Sequence, residues 1–245
     1  MKYIAFLDIL GFSKFVEAND LNTIVESYAP LLTGIHFSVA GGSHDRPQLD
    51  YQVHSDTICI LTRDDSLASL SELLRVCHMA LFSYFYHLQG QLPRRLPIRG
   101  AIAKGEMVFG DYQFSTQAIN RPKVTTIPIH TLIGKPVIQA SQWEKKQEWM
   151  GVSFCPELYE EVVATPTFLA PLLDSHLIVP YEVPIKSEKT VMSFAINPIQ
   201  TYLLDRILPP LRSEHERGAM HPKLERTLAF IEHINRTNLC YPARF

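Results

Sequence analysis

Two carboxylates in this sequence stand where chemistry could use them. Asp8 interrupts the apolar run Tyr3-Ile4-Ala5-Phe6-Leu7, a stretch long enough for a buried strand and too short for a membrane span. Ile9-Leu10-Gly11-Phe12-Ser13 follows, with a glycine that lets backbone approach a ligand, and then a helical pattern of Phe15, Val16, Leu21, Ile24, Val25 and Tyr28. Open N–H groups at a helix start favour an anion, and a carboxylate beside them favours a hard cation such as Mg²⁺. An Asp at such a place also serves simply to cap a helix. The second acid, Asp56, follows Ser55 at a polar break in Leu49 to Leu61, which predicts a hairpin with Asp56 at or near its turn. Two acids at strand edges suit a pair of divalent ions about 3.5–4 Å apart that clamp a transferring phosphoryl group.

The elements that must hold these acids are readable from periodicity. Leu70, Leu73, Leu74, Cys77, Leu81, Phe85 and Leu88 recur at three and four residues and predict a core helix over Leu67 to Leu88, with His78 and His87 structural or exposed rather than metal ligands. Pro93 to Pro97 ends it, and Ile98 to Asp111 reads as a strand whose small residues admit a close neighbour. Lys104 within that strand calls for a carboxylate or anion partner, and Arg99 and Glu106 are placed to pair. Val124 to Ile133 is a second β-rich run. Gly134-Lys135-Pro136 breaks it before a helix from Val137 that carries Val137, Ala140, Ser141, Glu144 and Gln147 on one face. Glu157 to Leu173 is helical with interruptions at Pro166 and Pro171. Two strands, Ile178 to Ile185 and Thr190 to Ile196, flank the polar turn Lys186-Ser187-Glu188-Lys189. A last helix over Lys223 to Arg236 lines up Leu224, Leu228, Ile231 and Ile234. The order β-α-β-β-α-β, then βα and ββ, predicts an α+β sheet sandwiched by helices.

Composition narrows the function classes. With 46% apolar residues over 245, the chain can bury a substantial core. A formal charge of -2 gives no broad basic field, so general nucleic-acid binding is not indicated, while a small anion held by local cations remains open. The four cysteines, Cys59, Cys77, Cys155 and Cys240, are scattered without a C-x-x-C pair or a signal peptide, which predicts reduced thiols, a cytoplasmic protein and no membrane association.

Four motifs in order then resemble the class III nucleotidyl cyclase homology domain. They are Phe6-Leu7-Asp8-Ile9-Leu10-Gly11-Phe12, Ser55-Asp56, the Ile98 to Asp111 strand with Arg99-Gly100, and Gly134-Lys135-Pro136-Val137 through Ala140 to Glu144. The resemblance covers about Lys2 to Gly151, and Lys186 extends it to the late hairpin. It implies a ferredoxin-like βαββαβ core with extra C-terminal strands, a catalytic domain over 1–205 and a helical extension over 206–245. It also implies that Asp8, the carbonyl of Ile9 and Asp56 bind two Mg²⁺ or Mn²⁺ ions, that amides of Leu10, Gly11, Phe12 and Ser13 hold the outer phosphates, and that Lys186 binds phosphate. The ribose 3′-OH then attacks the α-phosphate and pyrophosphate leaves.

The departures from that pattern carry as much information. Ile138 and Gln142 stand where purine cyclases carry Asn and Arg, so another cation must substitute, with Lys104, Lys135, Lys145 and Arg99 as candidates, or the site is inactive. The base-reading Lys and Asp are replaced near Tyr51-Gln52 and at Thr131. Loss of an acceptor for the adenine amino group argues against ATP. These changes resemble the pyrimidine cyclases of bacterial anti-phage defence, the Pycsar group. That likeness implies conversion of UTP, or else CTP, to cUMP or cCMP, a cyclic-nucleotide-sensing effector, and a head-to-tail homodimer with composite sites. A nucleotide-binding regulatory module without turnover and a purine cyclase are the competing readings.

Overall fold

β1 (Lys2–Ile9) supplies both cores of the protein, which is why it reads as a continuous apolar run rather than an alternating one. Tyr3, Ala5, Leu7 and Ile9 enter one core; Ile4 and Phe6 enter the other, and Asp8 continues that second set. The computed structural model describes residues 1–40, 46–86, 96–117, 124–199, 208–209, 212 and 222–237.

Along the chain, β1 is followed by α1 (Phe12–Glu17), α2 (Leu21–Ala40), β2 (Leu49–His54), β3 (Thr57–Thr62), α3 (Leu67–Tyr86), β4 (Ile98–Gly105), β5 (Met107–Gln117) and β6 (Val124–Gly134). Then come α4 (Lys135–Lys146), β7 (Val152–Phe154), α5 (Pro156–Val163), α6 (Pro166–Asp174), β8 (Ile178–Ile185), β9 (Lys189–Ile196) and α7 (Pro222–Thr237). Seven strands form one sheet in the order β2-β3-β1-β4-β7-β9-β8, while β5 and β6 make a separate two-stranded ribbon. All pairings are antiparallel except β4 with β7. Leu31 and Ile35 of α2, Leu70 to Leu81 of α3, Leu158 of α5 and Leu172 of α6 cover one face. Ala140 and Trp143 of α4 with Leu228, Phe230 and Ile231 of α7 cover the other. The fold is the predicted α+β sandwich.

Local differences from the sequence reading have physical causes. The first helical pattern is two helices, because Asp20 accepts from the Thr23 amide at 2.9 Å and from its hydroxyl at 2.8 Å and starts α2 afresh. That helix runs on through Gly34 because Leu31 and Ile35 bury beyond Pro30. The Ile98 to Asp111 strand breaks at Glu106, and α4 begins at Lys135, where Pro136 sits without loss in the first turn. Pro166 likewise opens α6. β7 is too short to leave a periodic signal. The expectations for His87, Leu88 and Cys240 and for most of the Gly41 to Pro47 turn lie outside the described residues.

Gly100 fixes the packing beneath the first face, the one that Leu7 enters. A Cβ there would lie 2.6 Å from Leu7 Cδ2 and 2.8 Å from the Phe6 carbonyl oxygen. Backbone on the central strand cannot yield, so Gly100→Ala is expected to cost about 1–3 kcal/mol in urea unfolding; an unchanged midpoint would show that β1 and β4 are less tightly paired.

Candidate active site

Asp8 lies near the end of β1, flanked in register by Thr57 of β3 and Arg99 of β4. Asp56 is the residue before Thr57, in the two-residue turn joining β2 to β3, and its carbonyl accepts the Ile9 amide at 3.0 Å. The two acids therefore arrive at one corner from separate parts of the chain. Tyr28 of α2 holds that turn from outside by donating its hydroxyl to the Ser55 carbonyl at 2.6 Å. Ser55 itself adopts φ 54, a left-handed conformation that a tight turn demands.

The carboxylate of Asp8 is pushed up to about 6, first by burial, then by the charges of Glu144 and Asp56, with Arg99 and Lys223 opposing. A negative corner under such crowding favours a hard cation. Among the described residues no group of three or more His, Cys, Asp or Glu converges as a metal site. Two carboxylates nevertheless match the donor set by which Mg²⁺ is held when substrate phosphates and water complete its shell. The residues present fit that role.

Arg99 is the organising cation on the protein side. Its side chain is 8% exposed, its Nη2 lies 3.9 Å from Asp8 Oδ2, and its Nε and Nη2 pair with Glu144 Oε1. Nη1 donates to the Gln147 carbonyl at 3.0 Å. Gln147 in turn donates to the Gly100 carbonyl at 2.8 Å and accepts from Trp149 Nε1 at 2.7 Å and Ser153 Oγ at 3.1 Å. Each buried polar atom in this chain of contacts has a partner, so the guanidinium is fixed rather than adjustable. The partner of Arg99 is thus Glu144 and not Glu106, which is exposed.

Other expected residues fall in three places. Gln52 pairs in register with Cys59 on the Asp8 face, whereas Tyr51 turns to the opposite face and bonds His36 Nδ1 at 2.9 Å. Tyr51 does not share a face with Asp8. Lys104 is five residues along β4 from Arg99, roughly 17 Å at strand rise, where it pairs with Glu161 at 2.5 Å and Asp65 at 3.3 Å. It has the carboxylate partners its burial required, and it is not at the Asp8 corner of its own chain. Lys135 is exposed at the start of α4, and Thr131 lies opposite Gly110 in the ribbon, both at the far end of α4 from Glu144. Ile138 is 60% exposed and Gln142 is exposed, so the two departures face outward.

In the loop after β1, the Leu10 amide donates to the Pro97 carbonyl at 2.8 Å and is already used. Gly11, at φ 75, turns the chain into α1, and Ser13 is exposed beside it. Lys186 stands in the exposed β8–β9 turn, tied down by its amide donating to the Lys146 carbonyl at 2.8 Å. Glu144, Lys223, Glu148 and Arg226 were not anticipated as site residues. Only Glu144 left a signal, since it shares the buried face of Val137 and Ala140.

No protein-family model matches the chain, and no curated protein matches it. Solved structures do. The catalytic core of a rhodopsin-guanylyl cyclase with converted specificity, in complex with ATPαS, aligns at TM-score 0.52 and 11% identity over 80% of this chain and 94% of that one. The guanylate cyclase domain of RhGC from Catenaria anguillulae, in complex with GTP, aligns at TM-score 0.49 and 11% identity over 80% and 94%. The adenylyl cyclase CyaB from P. aeruginosa aligns at TM-score 0.47 and 18% identity over 80% and 92%. The first of these matches establishes that the chain has the fold of class III cyclase catalytic domains.

Proposed function

We propose that this chain is a nucleotidyl cyclase that closes a pyrimidine nucleoside triphosphate, UTP or else CTP, into its 3′,5′-cyclic monophosphate with release of pyrophosphate. The observation that carries this reading is the convergence of Asp8 and Asp56 at one corner of a cyclase-type sheet. Two Mg²⁺ or Mn²⁺ ions held there would lower the pKa of the attacking 3′-hydroxyl and neutralise charge developing on the phosphate oxygens.

The chain's own groups do the rest. Asp8 must be ionised to bind, and Arg99 beside it favours the ionised form against the push from Glu144. Gln52, on the Asp8 face, offers both a donor and an acceptor to a base edge, which suits a pyrimidine better than the cation it replaces. Val108, Ile133 and Ile138 are 42%, 66% and 60% exposed along the ribbon and the open face of α4, which supports burial against a second copy in a head-to-tail homodimer. In such a pair Thr131 and Lys135 would reach the partner's nucleotide. By its likeness to the Pycsar group, the product would serve as a messenger to a separate effector in anti-phage defence.

The outward-facing Ile138 and Gln142, with no charge at either position, favour a second reading as a nucleotide-binding regulatory module. Incubating purified protein with each NTP and Mn²⁺ and separating the products decides among the readings. Cyclic UMP or CMP is the expected result. Cyclic AMP or GMP would move the assignment to purines, and binding without pyrophosphate release would establish the regulatory module.

A further inference from the structure

Asp56 sits in a two-residue turn, and the direction of its side chain is set by the two peptide planes that meet at its Cα. Both planes are held. The plane after it is fixed by the Ile9 amide, which donates to the Asp56 carbonyl at 3.0 Å. The plane before it carries the Ser55 carbonyl, and that oxygen accepts the Tyr28 hydroxyl at 2.6 Å. The first bond comes from the residue next to Asp8. The second comes from α2, across a turn whose Ser55 is kept in the left-handed region at φ 54, a conformation that a serine adopts only when its surroundings hold it there.

Tyr28 is itself built in on both sides. Its ring centre lies 5.5 Å from that of Phe12, the buried first residue of α1, which in turn lies 6.3 Å from Phe15. Further along α2, Leu31 and Ile35 are buried, and Arg75 of α3 donates to the Ser38 carbonyl at 2.9 Å, so the helix is a fixed base for the hydroxyl. α2 thus joins the segment that follows Asp8, through the Tyr28 ring, to the turn that carries Asp56, through the Tyr28 hydroxyl.

Resting on the cyclase reading above and deepening it, we infer that Tyr28 is a positioning residue of the metal site, whose hydroxyl sets the direction of the Asp56 carboxylate through the Ser55 carbonyl while its ring holds the start of α1 beside Asp8. It acts through its neighbours and not on the metal or the nucleotide. This gives α2, a helix outside the expected ligand set, a part in keeping the two acids at the spacing that a pair of divalent ions needs.

The test uses the full chain, with Mn²⁺ alone as the probe in calorimetric titration and with product formation from UTP and CTP at saturating Mn²⁺. Tyr28→Phe keeps the ring against Phe12 and deletes only the donor, so the variant should fold. It is expected to bind Mn²⁺ about tenfold more weakly. At saturating Mn²⁺ it should also lower kcat about tenfold, with KM for the nucleotide little changed, because the ion at Asp56 is then held off line. Tyr3→Phe is the control. It deletes a bond of the same kind, from a phenol to the Asp65 carbonyl at 3.2 Å, at the opposite end of β1, and should leave Mn²⁺ affinity and kcat alone even if it lowers the Tm.

A Tyr28→Phe protein that melts lower but keeps its Mn²⁺ affinity and kcat would make the hydroxyl a support of the fold alone and overturn the inference, with the cyclase reading standing on the wild-type product. Equal losses of Mn²⁺ affinity in Tyr28→Phe and Tyr3→Phe would overturn it too, since the effect would then be general loosening of the sheet. Wild-type protein that binds Mn²⁺ more tightly than Tyr28→Phe yet forms no cyclic nucleotide would keep the positioning role and remove the cyclase reading. Wild-type protein that binds no Mn²⁺ and forms no product would remove both.

Discussion

Asp8→Asn is expected to abolish cyclic-nucleotide formation and, at the same time, to make the metal-free protein more stable at neutral pH. The first effect follows from the loss of a hard oxygen ligand, with several kcal/mol of charge stabilisation and hence at least about a hundredfold in rate. The second follows from the position of the carboxylate. Asp8 titrates at about 6 in the folded protein against an ordinary 3.8, because burial and the charges of Glu144 and Asp56 disfavour its ionised form. A carboxyl whose folded pKa is raised penalises the native state only when ionised. That penalty is absent below about pH 4, where the group is protonated in both states, grows between pH 4 and 6, and is complete above pH 6.

Asparagine has the same shape without the charge, so it removes the penalty. After discounting for the partial exposure of the side chain, about 1–2 kcal/mol remains, or a rise of roughly 2–8 °C in Tm at pH 7.5 that fades to nothing near pH 4. Mn²⁺ should raise the Tm of the wild type and not that of the variant, because only the wild type binds it in the native state. A variant that melts lower than the wild type at pH 7.5, or that still gains stability from Mn²⁺, would show that Asp8 is not a crowded metal ligand. Such a group trades stability of the empty site for affinity in the filled one, as strained functional positions do.

What the sequence disclosed depends on how local each feature is. Asp8 and Asp56 were readable because each breaks an apolar run and the hairpin that carries Asp56 is a local event, whereas the β1–β3 pairing that brings the two together is not. Lys104 was readable as a cation in need of partners, although Glu161 and Asp65 come from elements that no spacing rule connects to it. The choice between Tyr51 and Gln52 turned on strand register, since neighbours in a strand face opposite ways and sequence alone does not say which way β2 faces. Glu144 was assigned to a buried face without its purpose, because the buried Arg99 that satisfies it lies on a strand 45 residues away. Lys223 carried no sequence signal at all. A lysine on an amphipathic helix is ordinarily a solvent-facing charge, and only the docking of α7 beside β8 brings it to the site.

Breaking the Arg99–Glu144 pair from its two sides should give unequal results, and the inequality tests how the site is built. Arg99→Met strands the Glu144 carboxylate, whose side chain is 2% exposed, and leaves the Gln147 carbonyl without its donor. A buried charge deprived of its partner costs about 3–5 kcal/mol, or roughly 6–20 °C in Tm for a chain of this size. Replacing both partners, Arg99→Met with Glu144→Leu, removes the charge as well as its counter-charge and should recover most of that loss.

Glu144→Gln is milder, because Arg99 keeps the Gln147 carbonyl and turns its remaining donors toward Asp8, 3.9 Å away. With the repulsion from Glu144 gone and the attraction of Arg99 undivided, the Asp8 carboxyl should titrate below its present value of about 6. The pH midpoint for Mn²⁺ binding should then fall with it, since the metal requires the ionised carboxylate. If the double replacement is as unstable as Arg99→Met alone, or if Glu144→Gln leaves the Mn²⁺ midpoint where it was, the pair acts as packing and does not tune the metal-binding acid. With the expected result, the buried pair on β4 and α4 becomes the device that sets the pH range in which Asp8 can bind metal.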